Sequence, residues 1–258
     1  MLRKIMDVLE LFAFERRELG VLEVAAILER PKSTVSRRLS DMERAGFLDR
    51  DPESGRYRLS MRLAALGEVA RQSTTLQQSA RPYLALLAER TGETANLTVL
   101  LGKEAVNVEV ADSPRPVMHV GWVGRHLPMH ATAAGKVLLS YASEQFLDDV
   151  LAAGLTRLTP DTITDETALR ADLASVRARG YAMAWAELEP DLAAIAAPVC
   201  NHRGDVVAAI AIGGPVSRWA REHVGGLATH VIDAARNLSE SMGYRDGVRV
   251  NRSTSSLE

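Results

Sequence analysis

The 258-residue chain has one cysteine, Cys200. No disulfide can therefore form within it, and such sparing thiol use fits a reducing compartment. Aromatic residues make up only 5% of the sequence, so any core must be built from Leu, Val, Ile and Ala. No apolar run approaches the roughly 20 residues of a membrane-spanning helix, and Asp7 and Glu10 interrupt the apolar start as no secretory signal would tolerate. The expectation is a soluble, cytoplasmic protein with no membrane partner. A net charge of −2 offers no bulk basic excess. The imbalance is local: Lys and Arg outnumber Asp and Glu over residues 1–62, and acids outnumber bases beyond. That distribution places any nucleic-acid contact at the front of the chain. A chain of this length, 47% hydrophobic, can bury one large core or two modest ones.

The stretch PKSTVSRRLSDMERAG, 31–46, carries the sharpest pattern. Val35, Leu39 and Met42 recur at i, i+4 and i+7 and form a narrow apolar stripe, while Thr34, Arg37, Arg38, Asp41 and Arg44 occupy the opposite face. Pro31 and Gly46 bracket the helix, and Ser33 reads as its N-cap, accepting from the Ser36 amide. Hydroxyls and guanidiniums near the N-terminal end suit phosphates and base edges. Upstream, 21–29 reads as a second short helix joined by a turn around 30–32, the spacing of a helix-turn-helix. Ile5, Val8, Leu9 and Phe12 mark a packing helix over 2–14. Downstream, 47–50 and 56–59 alternate around a turn-rich tip and read as a hairpin wing that presents Arg50, Arg56 and Arg58. Three helices followed by a hairpin make a winged helix that binds double-stranded DNA. The residues nominated for DNA contact are Lys32, Ser33, Thr34, Ser36, Arg37, Arg38 and Arg56.

Beyond this the pattern predicts a linker helix over 61–76 with a break near Ser73–Thr75, then a helix ending at Thr91–Gly92. Residues 94–101 and 105–112 read as a hairpin, 117–123 as a third strand, and 131–141, 146–153 and 169–179 as helices, the last with acidic Asp165 and Glu166 at its start. Strands at 181–187, 193–200 and 206–213 follow, the last two aliphatic on both faces as buried strands are. A long amphipathic helix over 217–242 closes the order. The fold class is α+β: a winged helix-turn-helix domain at 1–60, the linker at 61–76, a sheet domain at 77–243 and a disordered tail at 244–258.

Three segments resemble the IclR-type transcriptional regulators: PKSTVSRRLSDMERAGFL with its wing, GRHLPMHATAAGKVLLS from Gly124 to Ser140, and IAAPVCNHRGDVVAAIAIGGPVSR from Ile195 to Arg218. The resemblance spans about residues 1–243. It implies a GAF-like effector-binding domain, operator DNA and a small-molecule effector as partners, and a homodimer that often pairs into a dimer of dimers. It also implies an effector pocket at His119, Ala133, Ala134, Ala184, Leu192, Ala194, Ala211 and Gly213. Members that bind small polar carboxylates carry an acid, a cysteine and serines where this chain has Ala184, Ala194, Ala211 and Gly213. The exchange removes hydrogen-bond capacity and adds room, which favours a larger, partly aromatic or otherwise weakly polar effector. His119 is then either the polar group that meets its head group or a strand histidine bonded to a backbone carbonyl.

Other chemistry is weaker. His119, His126 and His130 do not share a helical face and have no cysteine or acid cluster beside them, so no metal or cofactor is expected. Cys200 and His202 stand at i, i+2 without an orienting third group, and a buried, inert thiol is the plainer account. Gly135–Lys136 resembles the end of a phosphate loop but lacks the earlier glycine and the following hydroxyl, leaving Lys136 as a solvated helix residue. No catalytic residue is nominated. The alternative is a metal-dependent sensor or enzyme that the winged helix localises to DNA.

Overall fold

The computed structural model describes residues 3–14, 18–72, 75–115, 121–219 and 224–244. Contacts divide the chain into two compact units, Met1–Thr75 and Leu76–Glu258. His119, the start of the strand expected at 117–123, the break at 73–74 and the tail from 245 onwards lie outside the described residues.

In the first unit, α1 (Arg3–Phe14), α2 (Val21–Ile27) and α3 (Lys32–Arg44) precede a two-stranded antiparallel hairpin, β1 (Leu48–Arg50) and β2 (Tyr57–Leu59), and α4 (Met61–Gln72). The expected stripe of α3 is its buried face: Val35, Leu39 and Met42 join Val8, Phe12, Val24, Leu48 and Tyr57 in one core. The helix starts two residues earlier than Ser33 capping requires. Pro31 is the N-cap and its carbonyl accepts the amides of Thr34 (3.0 Å) and Val35 (3.1 Å), so Ser33 sits exposed in the first turn and caps nothing. Proline is suited to that boundary because its φ is fixed and it has no N–H to satisfy. Gly46, at φ +77°, ends the helix in the left-handed conformation, and the Phe47 amide returns to the Met42 carbonyl at 2.9 Å.

In the second unit, α5 (Thr75–Thr91) leads into a six-stranded antiparallel sheet of order β5-β4-β3-β8-β7-β6. Its strands are β3 (Thr94–Leu101), β4 (Glu104–Ala111), β5 (His126–Leu127), β6 (Ala182–Trp185), β7 (Leu192–Cys200) and β8 (Val206–Pro215). Alternation along each strand gives two unlike faces. One, with Leu97, Ile195, Val199, Ile210 and Ile212, packs against α5 and α9 (Val224–Ser241) through Leu84, Leu87, Val231 and Leu238. The other is floored by Ala182, Ala184, Ala196, Ala209 and Ala211, and receives α6 (Ala133–Ser140), α7 (Glu144–Ala152) and α8 (Glu166–Arg179). Alanines on that face let α6 lie close to the sheet. Every residue of α6 is buried.

Two expectations shift here. Residues 121–123 are not strand; Gly124 turns the chain at φ +85°, its amide bonds the Asn107 carbonyl at 2.8 Å, and the pairing with β4 is made by His126–Leu127. The closing helix is shorter than 217–242: Val216–Arg218 form a 3₁₀ turn and α9 starts at Val224. That turn is held by Glu93, 2% exposed, which accepts from Arg218 Nε (2.9 Å) and from the indole N–H of Trp219 (3.2 Å).

Candidate functional site

On the winged helix, the side chains of Lys32, Ser33, Thr34 and Arg37 are exposed and those of Ser36 and Arg38 half-buried, all in the first two turns of α3. The buried stripe turns these residues outward together. At the wing tip, the Asp51 carboxylate accepts from the Ser54 amide (2.7 Å) and hydroxyl (2.8 Å), and these bonds lower its pKa. Tyr57, 1% exposed, is doubly hydrogen-bonded to Leu19 and lies under the Arg50 guanidinium. Arg56 differs from its expected role as a purely outward cation. Its Nη2 donates to Glu23 Oε2 (2.6 Å) and to the Glu18 carbonyl (3.0 Å), tying the wing to the start of α2.

In the sheet domain, a cavity of about 40 Å³ lies between α6 and the alanine-rich face. Six of the eight nominated effector residues border it: Ala133, Ala134, Leu192, Ala194, Ala211 and Gly213. Ala184 stands in register with Ala194, and Ala194 with Gly213, so it shares their row without bordering the cavity. Leu127, Leu188 and Leu192 also border the cavity, and its volume is below the roughly 150 Å³ known to hold one benzene ring.

Polar capacity is larger than the sequence reading allowed, because Asn96, Asn107 and Thr132 also border the cavity. Asn96 Nδ2 donates to Thr98 Oγ1 (2.9 Å) and Asn107 Oδ1 (3.0 Å), and the Thr98 hydroxyl donates to Asn107 Oδ1 (2.8 Å). Thr98 is 0% and Asn107 3% exposed. The signal was present in the sequence: alternation along β3 puts Asn96 and Thr98 on the face opposite Ala95 and Leu97. Thr132 caps α6 by accepting the Gly135 amide at 3.1 Å, so the first-turn amides of Ala133 and Ala134, which have no intrahelical acceptor, remain at the cavity edge. A Cβ on Gly135 would collide with the Met129 carbonyl. The close turn before α6 therefore requires glycine.

The segment 186–191, joining β6 to β7, brings Leu188 to this cavity. Ala186 holds φ +58°, an uncommon conformation for a residue with a Cβ, and the Thr159 and Thr162 hydroxyls donate to the Ala186 (2.6 Å) and Glu187 (2.7 Å) carbonyls. Lys136, expected to be solvated, is 1% exposed. Its Nζ lies 2.7 Å from Glu187 Oε1 and 2.9 Å from Asp172 Oδ2, locking α6 to this segment and to α8. Burial pushes the Glu187 carboxyl above its usual range, and Lys136 acts against that rise.

His126 Nδ1 meets Glu104 at 2.6 Å and His130 Nε2 meets the Thr156 carbonyl at 2.9 Å. Among the described residues no group of three or more His, Cys, Asp or Glu could hold a metal ion. Cys200 is half-buried, with its amide donating to Ser239 Oγ at 2.9 Å.

Comparison with known proteins accords with this geometry. The family model described as the IclR helix-turn-helix domain matches residues 1–52, and that described as Bacterial transcriptional regulator IclR C-terminal matches residues 69–240. The HTH-type transcriptional regulator XynR of Escherichia coli is 33% identical over 240 residues, 93% of this chain and 95% of that one. A crystal structure of an IclR transcriptional regulator from a Silicibacter species superposes with a TM-score of 0.82 at 30% identity, covering 95% of this chain and 96% of that one. An IclR homologue from Microbacterium hydrocarbonoxydans, crystallised in complex with 4-hydroxybenzoate, superposes with a TM-score of 0.78 at 29% identity, covering 93% and 98%.

Proposed function

The chain belongs to the IclR family of transcriptional regulators, and on that footing we propose how its two units divide the work. The first two turns of α3 enter the major groove. Arg37 reads a base edge with Ser33, Thr34 and Ser36 beside it, while Lys32 and Arg38 engage phosphates and Arg56 holds the wing that flanks them. One such module covers few base pairs, so two copies bind paired half-sites. Met6, Met61 and Leu66, exposed on α1 and α4, support a homodimer through those helices. A dimer of dimers extends the same reading.

The second unit binds the effector between α6 and the sheet. The α6 first-turn amides suit an acid group, and the homologue holding 4-hydroxybenzoate puts aromatic hydroxy acids first among the candidates. A ring of that size needs a wider cavity, so binding must displace segment 186–191 with Leu188. A ligand that prefers the widened form shifts the population and changes operator affinity by linkage. On this reading the protein works in the cytoplasm without catalysis.

The observation that carries the DNA reading is the outward cluster on α3 set by its buried stripe. Arg37→Ala tests it. A bidentate Arg–guanine pair discriminates by about 1–3 kcal/mol, so the variant should bind with flattened sequence preference in a selection from random duplexes. An unchanged preference and footprint would mean that another element reads the bases.

A further inference from the structure

Three side chains of the sheet face, Asn96, Thr98 and Asn107, are turned toward one another beside the cavity, and their hydrogen bonds do not exhaust them. The Asn96, Thr98 and Asn107 contacts of 2.8–3.0 Å use the amino group of one carboxamide and the carbonyl of the other. If both carboxamides are turned over, the same three contacts are satisfied with the roles exchanged. In either arrangement one amide N–H₂ and one amide C=O are left without a partner among the described residues, and both belong to residues that border the cavity. Asn107 is 3% exposed. Each free group needs a water or a ligand to meet it once the cavity is closed to solvent.

The position of the pair is fixed from three sides. Asn96 and Thr98 stand at i, i+2 on central strand β3, and Thr98 faces Asn107 directly in the β3–β4 register. The backbone of Asn107 is itself clamped, its amide to the Arg125 carbonyl (3.0 Å) and its carbonyl to the Gly124 amide (2.8 Å). The cluster is rigid, neutral and built into the sheet. Across the cavity stand the α6 amides of Ala133 and Ala134, which suit negative charge.

We propose that Asn96 and Asn107 are specificity-determining residues of the effector cavity, selecting an organic acid that carries a hydroxyl or carboxamide at the end remote from its carboxylate. The proposal rests on the effector-cavity reading above. A hydroxyl both donates and accepts, as the free C=O and N–H₂ require, and a carboxamide does the same with two atoms. An alkyl or unsubstituted aryl end would cover both groups without pairing either. A second carboxylate, which only accepts, could pair the free N–H₂ but would set its lone pairs against the free carbonyl.

Calorimetry on the full chain with matched acids decides it: 4-hydroxybenzoate against benzoate, and 4-hydroxybutyrate against butyrate. The native protein should bind the hydroxylated member of at least one pair at least about tenfold tighter than its parent, since sites built to pair a hydroxyl reject analogues lacking it strongly. Asn107→Leu, and separately Asn96→Ala, should bring the two members within about threefold, chiefly by weakening the hydroxylated one. Operator binding and the melting temperature report whether each variant folds, and Asn96→Ala, at a half-buried position, serves should Asn107→Leu not fold. Ala211→Leu, run alongside, overpacks the cavity and should abolish binding of every acid. If Ala211→Leu abolishes binding while both asparagine variants keep the native preference, the cavity stands and the asparagine assignment is wrong. Unchanged binding in Ala211→Leu overturns the cavity reading itself. Native protein that binds operator but neither hydroxylated acid, or that prefers the parents, overturns the proposed ligand class.

Discussion

Replacing Lys136 by methionine removes the cation that stands between two carboxylates where α6 meets α8 and segment 186–191. The ammonium is 1% exposed and lies 2.7 Å from Glu187 and 2.9 Å from Asp172. Breaking one side of a buried pair costs about 3–5 kcal/mol, because the charge left behind is uncompensated. Asp172 is 22% exposed and partly hydrated, and Glu187 can take up a proton, so the lower end applies: about 3 kcal/mol at neutral pH, or a fall in Tm of roughly 6–12 °C. The pH dependence has a fixed sign. Burial raises the folded-state pKa of Glu187 above 4.5, and Lys136 opposes that rise. The folded state therefore binds more protons than the unfolded chain above pH 4.5, and stability falls as pH rises through the folded pKa. Without Lys136 that pKa climbs further. The deficit of Lys136→Met should thus be smallest near pH 5 and grow toward pH 8, and adding Glu187→Gln should recover more than half of it and remove the extra slope. Urea unfolding across that range, followed by circular dichroism, measures both. A deficit below about 1 kcal/mol at every pH, or no recovery in the double variant, would refute the idea that this cluster is a buried electrostatic lock.

Arg56→Ala should weaken binding to all duplexes alike while leaving the salt slope unchanged, because its guanidinium is committed to Glu23 and the Glu18 carbonyl; a slope reduced by about one would show a phosphate contact instead. Gly135→Ala should destabilise the sheet domain by about 1–3 kcal/mol in thermal unfolding, since the added Cβ meets backbone at Met129 that cannot yield as a side chain would. Light scattering of the full chain at micromolar concentration should give a dimer or larger, and a monomer would remove the paired half-site reading.

The stripe Val35, Leu39, Met42 was legible because an isolated helical period needs only local sequence to show which face is apolar. The hairpin read at 94–112 and the pairing of 193–200 with 206–213 were legible to within two residues, since glycine- and asparagine-containing turns set them off. Boundaries were less so. Ser33 lost the N-cap to Pro31, because proline's fixed φ and its acceptor carbonyl start the helix two residues earlier. The strand expected at 117–123 could be followed only at 121–123, where the chain turns to bond Asn107 and defers pairing to His126–Leu127.

What sequence alone determined were the quantities that depend on neighbours along the chain: the winged-helix order, the small residues at Ala194, Ala211 and Gly213, and the helix start at Ala133–Ala134. What only tertiary structure decided depends on residues distant in the chain. Lys136 reads as a solvated cation until Asp172 and Glu187, 36 and 51 positions on, close over it. Arg56 reads as a free wing charge until Glu23 meets it 33 positions away. Asn96 and Asn107 read as unremarkable strand polars until the pairing of β3 with β4 brings them together at one cavity. Periodicity reports which side a residue occupies; whether a charge is paired or an amide left open is settled only when the opposing element arrives.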